Sequence, residues 1–257
     1  MKANYHTHTY RCGHAVGHES EYAQQAAEKG LRILGFSDHT PYDFFDIGPR
    51  NRPMRMMPEE LEGYVSSVKE LAKEYEGRMK IYAGLEAEYY PKYFPGLLEM
   101  ARECGVEYMI LGQHFLFNEI EDCYTGRPFC DEKRLRQYVS QSIEGLRTGV
   151  FTYFAHPDLV YFEGDGDLYA EEMRKICRAA KETDTPLEIN LLGLRTGRNY
   201  PDERFWKLAG EEGNDVILGS DAHRPEDVLV PEAAEEAMKI AEKYSLRLLD
   251  TVKLKKP

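Results

Sequence analysis

The most informative residues in this sequence are its eight histidines and the acids that lie close to them. His6 and His8 are two residues apart, so in a strand both imidazoles point to the same face. Asp38 and Asp221 lie close to further histidines along the chain. Imidazole and carboxylate together suit zinc, iron or manganese as ligands. These residue types and their spacing therefore predict a metal site.

The chain alternates short apolar runs with amphipathic segments, which predicts seven strands and seven helices. The predicted strands are Ala3–Thr7, Leu31–Ser37, Lys80–Leu85, Tyr108–Gly112, Val150–Ala155, Pro186–Asn190 and Val216–Gly219. The predicted helices cover residues 19–29, 58–76, 95–104, 131–147, 170–182, 202–212 and 231–244. This alternation favours an α/β fold with a closed or nearly closed parallel barrel, as a single domain over residues 1–257.

A doubly wound open sheet is the alternative architecture. That fold usually carries a glycine-rich phosphate loop after its first strand. Here the first predicted strand ends in His6-Thr7-His8, and no G-x-G-x-x-G motif follows it. The barrel is therefore the preferred prediction.

The carboxyl ends of the predicted strands collect most of the potential metal ligands. In a parallel barrel these ends open on one face, where such folds place their chemistry. The residues at or just after them are seven histidines and two acids: His6, His8, His14, His39, His114, His156, His223, Glu86 and Glu88. Because one ion with an open position needs fewer ligands, the set predicts two or three divalent ions, with Zn, Mn and Fe all compatible.

Composition and charge narrow the range of partners. The formal net charge of −12 repels polyanions, so we expect no nucleic acid partner. No apolar run approaches the ~20 residues that cross a bilayer, and the N-terminus has no apolar signal core. The five cysteines include no C-x-x-C motif, which favours a reducing cytoplasm over a disulfide framework. The sequence leaves the oligomeric state open.

The motifs around these residues resemble those of the PHP (polymerase and histidinol phosphatase) superfamily, and most of all its histidinol-phosphatase branch. The matching stretches are His6-Thr7-His8-Thr9, Cys12-Gly13-His14, Ser37-Asp38-His39, Gly84-Leu85-Glu86-Ala87-Glu88, Gly112-Gln113-His114, Ala155-His156-Pro157-Asp158 and Ser220-Asp221-Ala222-His223. They occur in the family's order and span nearly the whole chain. The resemblance implies a distorted (β/α)7 TIM-like barrel, which agrees with the seven predicted strands.

The resemblance also implies how the ligands are shared among three metal ions. The first ion would be bound by His6, His8, Glu86 and Asp221. The second would be bound by Glu86, His114 and His156, and the third by His14, His39 and His223. Glu86 would then bridge the first two ions. Glu88, Asp38 and Asp158 are the carboxylates expected to orient metal-bound imidazoles.

Hydrolysis of a phosphate ester at this trinuclear site is the implied reaction. Two ions about 3.5–4 Å apart can hold a shared water and lower its pKa, and the resulting hydroxide attacks phosphorus. The third ion would bind a phosphoryl oxygen and stabilise charge as it develops. Glu86 and Asp221 are the expected catalytic residues. Either Asp221 or a metal-bound water would pass a proton to the departing alkoxide.

Substrate contacts are expected in two segments. Arg195 and Arg198 lie in a glycine-containing loop after the sixth predicted strand, and an arginine fork suits a phosphate group. Both are therefore predicted to bind substrate. The proline- and aromatic-rich segment Thr40–Met57 is interpreted either as a wall of the site, with Asp43 and Phe44 contacting the substrate, or as a packed surface loop.

The leading functional hypothesis is a metal-dependent phosphomonoesterase that acts on a small phosphorylated substrate, histidinol phosphate, in histidine biosynthesis. The alternatives are another phosphoesterase of the same superfamily, such as a nucleotide phosphatase or exonuclease, and a non-catalytic metal-binding module. The acidic net charge opposes long nucleic acid as a substrate. A complete set of ligands opposes the non-catalytic alternative.

Overall fold

The computed structural model describes residues 1–43, 54–121 and 123–257 of the chain. Most of the predicted Thr40–Met57 wall, Phe44 included, lies outside the described residues. Asp43 lies inside them and is exposed.

Eight parallel strands form one sheet whose spatial order follows the chain. They are β1 (Ala3–Asn4), β2 (Ile33–His39), β3 (Lys80–Ala87), β4 (Tyr108–Leu111), β5 (Phe151–Phe154), β6 (Leu187–Asn190), β7 (Asp215–Gly219) and β8 (Arg247–Leu248). All seven predicted strands are present, and β8 is additional. The curled parallel sheet with its surrounding helices confirms the predicted TIM-like barrel.

The two ends of the sheet are joined differently. At the carboxyl end, Thr7 pairs with Ala222 in a parallel bridge, and the backbone N–H of His8 donates to the Ala222 carbonyl over 2.9 Å. This bridge brings the continuation of β1 beside the continuation of β7. At the amino end, β8 lies against β7 instead, and Lys2 pairs with Asp250 over 2.6 Å. The seven-stranded prediction therefore fits the carboxyl end, while the short β8 completes the amino end.

Eight α-helices surround the sheet among the described residues. They are α1 (Glu19–Glu28), α2 (Leu61–Glu74), α3 (Phe94–Glu103), α4 (Glu132–Arg147), α5 (Gly166–Glu182), α6 (Leu191–Thr196), α7 (Glu203–Glu212) and α8 (Pro231–Lys243). Short 3₁₀ turns cover Tyr10–Cys12, Pro58–Glu60, Glu119–Glu121 and Pro225–Val228. Within the described part of the chain, no helix is both long and apolar enough to cross a membrane.

The helix α6 replaces the loop that was predicted after the sixth strand. The Asn190 side chain caps it by accepting a hydrogen bond from the Gly193 N–H over 3.2 Å. It ends at Gly197, whose φ of 65° lies in the left-handed region that glycine adopts without strain. The loop prediction is therefore wrong for residues 191–196, and the chain changes direction between Arg195 and Arg198.

The apolar core occupies the amino half of the barrel and the space between sheet and helices. Tyr5, Tyr108 and Tyr153 are fully buried inside the barrel, and the Tyr108 hydroxyl donates to the Tyr5 carbonyl over 2.7 Å. Val252 and Leu254 of the C-terminal segment pack against this cluster. Polar side chains are consequently collected at the opposite, carboxyl end.

Candidate active site

The carboxyl end of the barrel brings the nine predicted metal ligands together. Glu86 lies within β3, and His39 is the last residue of β2, where the strand register pairs the two residues. The other seven, which follow the 3₁₀ turn or strands β1, β4, β5 and β7, are His6, His8, His14, His114, His156, Asp221 and His223. The predicted positions at strand ends thus converge in space.

Glu86 is the centre of this arrangement and is almost completely buried. Its Oε1 lies 2.8 Å from His156 Nε2 and 3.5 Å from His114 Nε2. Its Oε2 lies 3.4 Å from His8 Nε2 and 3.5 Å from His6 Nε2. The two carboxylate oxygens therefore face different imidazoles, a pair at Oε1 and three at Oε2, because His39 Nδ1 also lies 3.2 Å from Oε2.

Asp221 faces His6 and His8 from the other side. Its Oδ1 lies 3.3 Å from His8 Nε2 and 3.5 Å from His6 Nε2. The same oxygen lies 3.4 Å from His223 Nδ1. Asp221 has a φ of 46°, a left-handed conformation that is uncommon for a residue with a side chain. The backbone turns sharply here to direct this carboxylate into the site.

A third group of imidazoles lies nearer the surface. The Nε2 atoms of His14 and His223 are 3.0 Å apart, and the rings of His14 and His39 have centroids 5.3 Å apart. His8 is also part of this neighbourhood, because its ring centroid lies 4.4 Å from that of His223 and 4.5 Å from that of His39. The structure therefore groups His8 with the outer imidazoles as well as with Glu86.

Several buried ring nitrogens test whether this donor set fits metal ions. His6 Nε2, His8 Nε2 and His39 Nδ1 are buried and have no hydrogen-bond partner among the described residues. A buried polar atom left unsatisfied costs about 1–3 kcal/mol, so such atoms usually have a partner. These nitrogens face the Glu86 or Asp221 carboxylates at 3.2–3.5 Å, as ligands that share a cation do. The residues fit divalent metal ions.

The charges of the cluster shift the pKa values of its members. Burial alone would raise the pKa of Glu86, but His114, His6 and His39 hold it well below its usual value. Burial alone would lower the pKa of His6, but Glu188, Asp221 and Glu86 raise it well above the usual value. The pKa of His8 is raised well above its usual value in the same way, through Asp221 and Asp38. The carboxylates are therefore kept ionised beside these imidazoles.

Two other histidines shift in the opposite direction. Burial lowers the pKa of His39 well below its usual value, and the charges of His8 and His114 oppose the effect of Glu86. Burial, followed by the charge of His8, lowers the pKa of His223 to about 3. A neutral imidazole has a lone pair for a metal, so these two rings are held in the form that binds.

Two of the three carboxylates expected to orient imidazoles lie beside one. Glu88 Oε1 is 3.0 Å from His114 Nδ1, and Arg55 contacts Glu88 from the other side. Asp38 Oδ1 lies 3.6 Å from His8 Nδ1. Asp158 instead accepts hydrogen bonds from the Trp206 indole over 2.8 Å and the Asp202 N–H over 2.7 Å. Although Asp158 lies only two residues after His156, its carboxylate contacts no imidazole among the described residues.

Glu188 and Asn190, both on β6, belong to the site and were missed at the sequence level. Glu188 Oε1 lies 2.8 Å from His6 Nδ1. The Asn190 amide donates to Asp221 Oδ2 over 3.1 Å. The sequence signal was an acid and an amide two residues apart within an otherwise apolar strand, which places both on one face.

A cavity of about 540 Å³ opens over the cluster. This size is within the range of pockets for small molecules. Six of the nine predicted ligands line it: His14, His39, Glu86, His114, Asp221 and His223. Arg198 lines it as well, and its guanidinium donates to the Tyr200 hydroxyl over 3.0 Å. The cavity thus combines the candidate metal ligands with a cationic side chain.

Arg195, the other predicted substrate-binding arginine, is not among the described residues that line this cavity. Its Nη1 donates to the Ser220 carbonyl over 2.7 Å, and its Nη2 lies 3.2 Å from Asp227. The physical reason is the unpredicted helix α6, because Arg195 lies in its last turn and Arg198 lies beyond the Gly197 cap. The geometry therefore favours Arg198 over Arg195 as the substrate-binding residue, and substrate binding by either one stays a prediction.

Comparison with known proteins adds sequence relatives. A family model for the PHP domain matches residues 4–191. A probable histidinol-phosphatase from Deinococcus radiodurans is 30% identical over 245 residues, which cover 87% of this chain and 86% of that protein. The histidinol-phosphatase of Bacillus subtilis is 25% identical over 257 residues, which cover 89% of this chain and 96% of that protein.

Solved structures share the fold. The histidinol phosphate phosphatase of Lactococcus lactis, complexed with zinc, L-histidinol and phosphate, has a TM-score of 0.72 at 19% identity, over 98% of this chain and 97% of that one. A putative histidinol phosphatase from Listeria monocytogenes has a TM-score of 0.70 at 21% identity, over 91% of this chain and 99% of that one. Because the family model covers most of the chain and a relative is 30% identical over most of its length, this chain belongs to the PHP domain family.

Proposed function

We propose that this chain is a histidinol-phosphatase, which hydrolyses L-histidinol phosphate to L-histidinol and phosphate in histidine biosynthesis. The proposal rests on family membership, on relatives that carry this name, and on the cavity over nine clustered ligands. The five cysteines are all free, which agrees with the cytoplasm as its location.

The observation that carries the proposal is the position of Glu86 between two groups of imidazoles. One oxygen faces His114 and His156, and the other faces His6, His8 and His39. A carboxylate with its two oxygens in different ligand environments suits a bridge between two ions. We therefore assign His6, His8, Glu86 and Asp221 to one ion and Glu86, His114 and His156 to a second.

A third ion would be held by the outer imidazoles His14, His39 and His223. Zinc is named for the related Lactococcus lactis structure, and the histidine-rich donor set also accepts manganese or iron. When bound, such ions lower the pKa of a water and polarise the phosphoryl group. The residues of the chain hold the ions in place and exclude bulk water from the buried side of the cluster.

Two further side chains act on the substrate in this proposal. Arg198 binds a phosphoryl oxygen from the wall of the cavity, where its charge stabilises the dianionic head group. The Asp221 carboxylate lies at the junction of the inner and outer imidazoles, and Asn190 fixes it from behind. Asp221 is placed to help move a proton to the departing alkoxide oxygen.

The experiment that tests the function compares substrates on the metal-loaded protein. We expect phosphate release from L-histidinol phosphate with a kcat/KM well above that for an aryl phosphate or a nucleoside monophosphate. Zinc, manganese and iron are each supplied after chelation, so that metal identity is measured in the same assay. His114→Ala serves as the ligand-deficient control.

Each outcome assigns the chain to one of the hypotheses. Hydrolysis of nucleotides or DNA ends in preference to histidinol phosphate would make it another phosphoesterase of the same family. Metal binding without hydrolysis of any phosphate ester would make it a non-catalytic metal-binding protein.

A further inference from the structure

Strand β6 provides none of the nine ligands, yet it carries a completely buried carboxylate near them. Glu188 has 0% of its surface exposed. It lies between the ends of β1, β5 and β7, three elements that together deliver His6, His156 and Asp221. A buried charge is costly unless its oxygens are satisfied, so its contacts should reveal its role.

Both oxygens of Glu188 are occupied by groups from the site. Oε1 lies 2.8 Å from His6 Nδ1. Oε2 accepts the backbone N–H of His156 over 3.0 Å and the Asn190 side-chain amide over 3.1 Å. Each of these three donors is a ligand candidate or contacts one.

The contact with His6 selects the form of the ring that binds a metal. Because a carboxylate accepts hydrogen bonds, Nδ1 carries the proton in the neutral ring that binds a metal, and Nε2 then has the lone pair. Nε2 is the atom that lies 3.5 Å from both Glu86 and Asp221 and has no hydrogen-bond partner of its own. Glu188 thus directs the correct nitrogen of His6 toward the cluster.

The contact with His156 acts on the backbone. His156 has a φ of 32°, a left-handed conformation that is strained for a residue with a side chain. Its N–H is held by Glu188, while its ring Nε2 lies 2.8 Å from Glu86. Glu188 therefore stabilises the turn that presents this ring.

The neighbouring strand leaves space for this carboxylate. A Cβ added to Gly219 on β7 would lie 1.5 Å from Glu188 Oε1, so no other residue at position 219 can coexist with Glu188 in this position. The absence of a side chain at Gly219 is what admits the Glu188 carboxylate between the strands.

We propose that Glu188 is a positioning residue, which holds His6 and His156 in the geometry that binds the two inner metal ions. The inference rests on the proposed metal site. It predicts that Glu188 governs the affinity for metal without being a ligand itself, since loss of a group that orients a ligand typically costs about 10–100-fold in metal affinity.

The test measures zinc dissociation constants by competition with a chromophoric chelator. Glu188→Gln keeps the side-chain volume but offers one acceptor oxygen to three donors, so we expect zinc affinity to fall about tenfold or more. Glu188→Ala should lower it further. Because positioning is impaired rather than lost, saturating zinc should restore much of the kcat of Glu188→Gln.

Two further variants make the test specific. Glu172→Gln removes a buried carboxylate on α5 that pairs with Arg136 and Lys175, remote from the site. It should leave zinc affinity unchanged even where it lowers stability. His6→Ala removes a ligand, so it should lose an ion that added zinc does not restore. Thermal unfolding of the metal-free variants shows which of them fold. If Glu188→Ala does not fold, the zinc affinity of Glu188→Gln decides the test.

The outcomes separate the two proposals. If His6→Ala binds as much zinc as the parent, the proposed metal site is wrong. If His6→Ala loses an ion but folded Glu188→Gln and Glu188→Ala keep the parental affinity, the positioning role of Glu188 is wrong and the metal site stands.

Discussion

The candidate site has two regions, which differ in how deeply they are buried and in which contacts hold their side chains. The buried group comprises His6, His8, Glu86, His156 and Asp221, and the rim group comprises His14, His223 and Arg198. In the buried group, His6 is held by Glu188, 182 positions away in sequence, and Asp221 by Asn190, 31 positions away. The barrel itself therefore fixes the buried group.

The rim group is held by its own neighbours along the chain. His14 Nδ1 lies 3.1 Å from the Cys12 carbonyl, and His223 Nδ1 lies 3.1 Å from the Asp221 carbonyl. Arg198 donates to Tyr200, again two residues away. The comparison predicts that the two inner ions of the proposed site bind to side chains fixed by the barrel, while the rim holds the proposed outer ion and the substrate.

The largest effect is expected for Glu86→Ala, which removes the residue shared by both inner ions. Turnover should fall below about 1% of the parent, because loss of a bridging ligand must exceed the roughly 10–100-fold cost of losing an orienting group. More than one metal equivalent should be lost, as measured by elemental analysis after gel filtration. Full metal content with substantial activity would mean that Glu86 is not a bridge.

A smaller loss of metal and of activity is expected for His223→Ala, which alters the rim group. One metal equivalent should disappear while the other two remain, because Glu86 and the imidazoles that face it are unaltered. The decrease in kcat/KM should be smaller than that of Glu86→Ala. Metal content and activity are measured on the same preparations. Loss of all ions in His223→Ala would show that the two regions are not independent.

The zinc affinity of the buried group should depend on pH. In the metal-free protein the pKa values of His6 and His8 are raised, so at neutral pH zinc must displace protons from both rings. Affinity should therefore fall as pH falls, by about 10–100-fold per unit for one to two protons. Chelator competition at several pH values between about 6 and 8 measures this slope, since an unshifted imidazole would titrate near 6.5.

The rim supplies the internal control for that experiment. The pKa of His223 is lowered to about 3, so this ring has no proton to release near neutrality. Calorimetry in two buffers with different ionisation enthalpies counts the protons released by each ion. An affinity for the inner ions that is constant above pH ~6.5 would contradict the raised pKa values of His6 and His8.

The sequence predicted that seven histidines and Glu86 lie together because strand ends in a parallel barrel share one face. The resemblance to the PHP superfamily added Asp221 and the division of the nine residues among three ions, which stays a prediction. Glu188 escaped prediction because an acid within a short strand is indistinguishable from a solvent-facing residue by alternation alone. Its meaning depends on Gly219, which is close in space but distant along the chain.

In the segment after β6, prediction from sequence failed for a different reason. Helix α6 has six residues and contains Gly193, so it is too short for helical periodicity to be recognised. Without that helix, Arg195 and Arg198 are equivalent residues of one loop. With it, Arg198 is the one of these two arginines that lines the cavity, whereas Arg195 contacts Ser220 and Asp227. A short capped helix therefore distinguishes two arginines that residue type alone could not distinguish.

Removal of the rim arginine should affect all phosphate esters alike. Arg198→Ala should lower kcat/KM about ten- to a hundredfold for both histidinol phosphate and an aryl phosphate, since a hydrogen bond to a charged group contributes roughly 1.5–3 kcal/mol. Metal content should stay at the parental value. Lys207→Ala, which removes an exposed cation on α7, is the matched control for the change in charge. An unchanged kcat/KM for Arg198→Ala would mean that the metal ions alone hold the phosphate.

The smallest effect on catalysis is expected for Arg195→Ala. The Arg195 guanidinium is tied to the Ser220 carbonyl and Asp227, so its loss should lower the free energy of unfolding by about 1.5–3 kcal/mol while leaving kcat/KM close to that of the parent. Denaturant unfolding and kinetics on both substrates measure the two quantities. A decrease in kcat/KM as large as that of Arg198→Ala, without loss of stability or metal, would show that Arg195 reaches the phosphate. The rim would then contain two substrate-binding arginines, and the end of α6 between Arg195 and Arg198 would have no functional consequence.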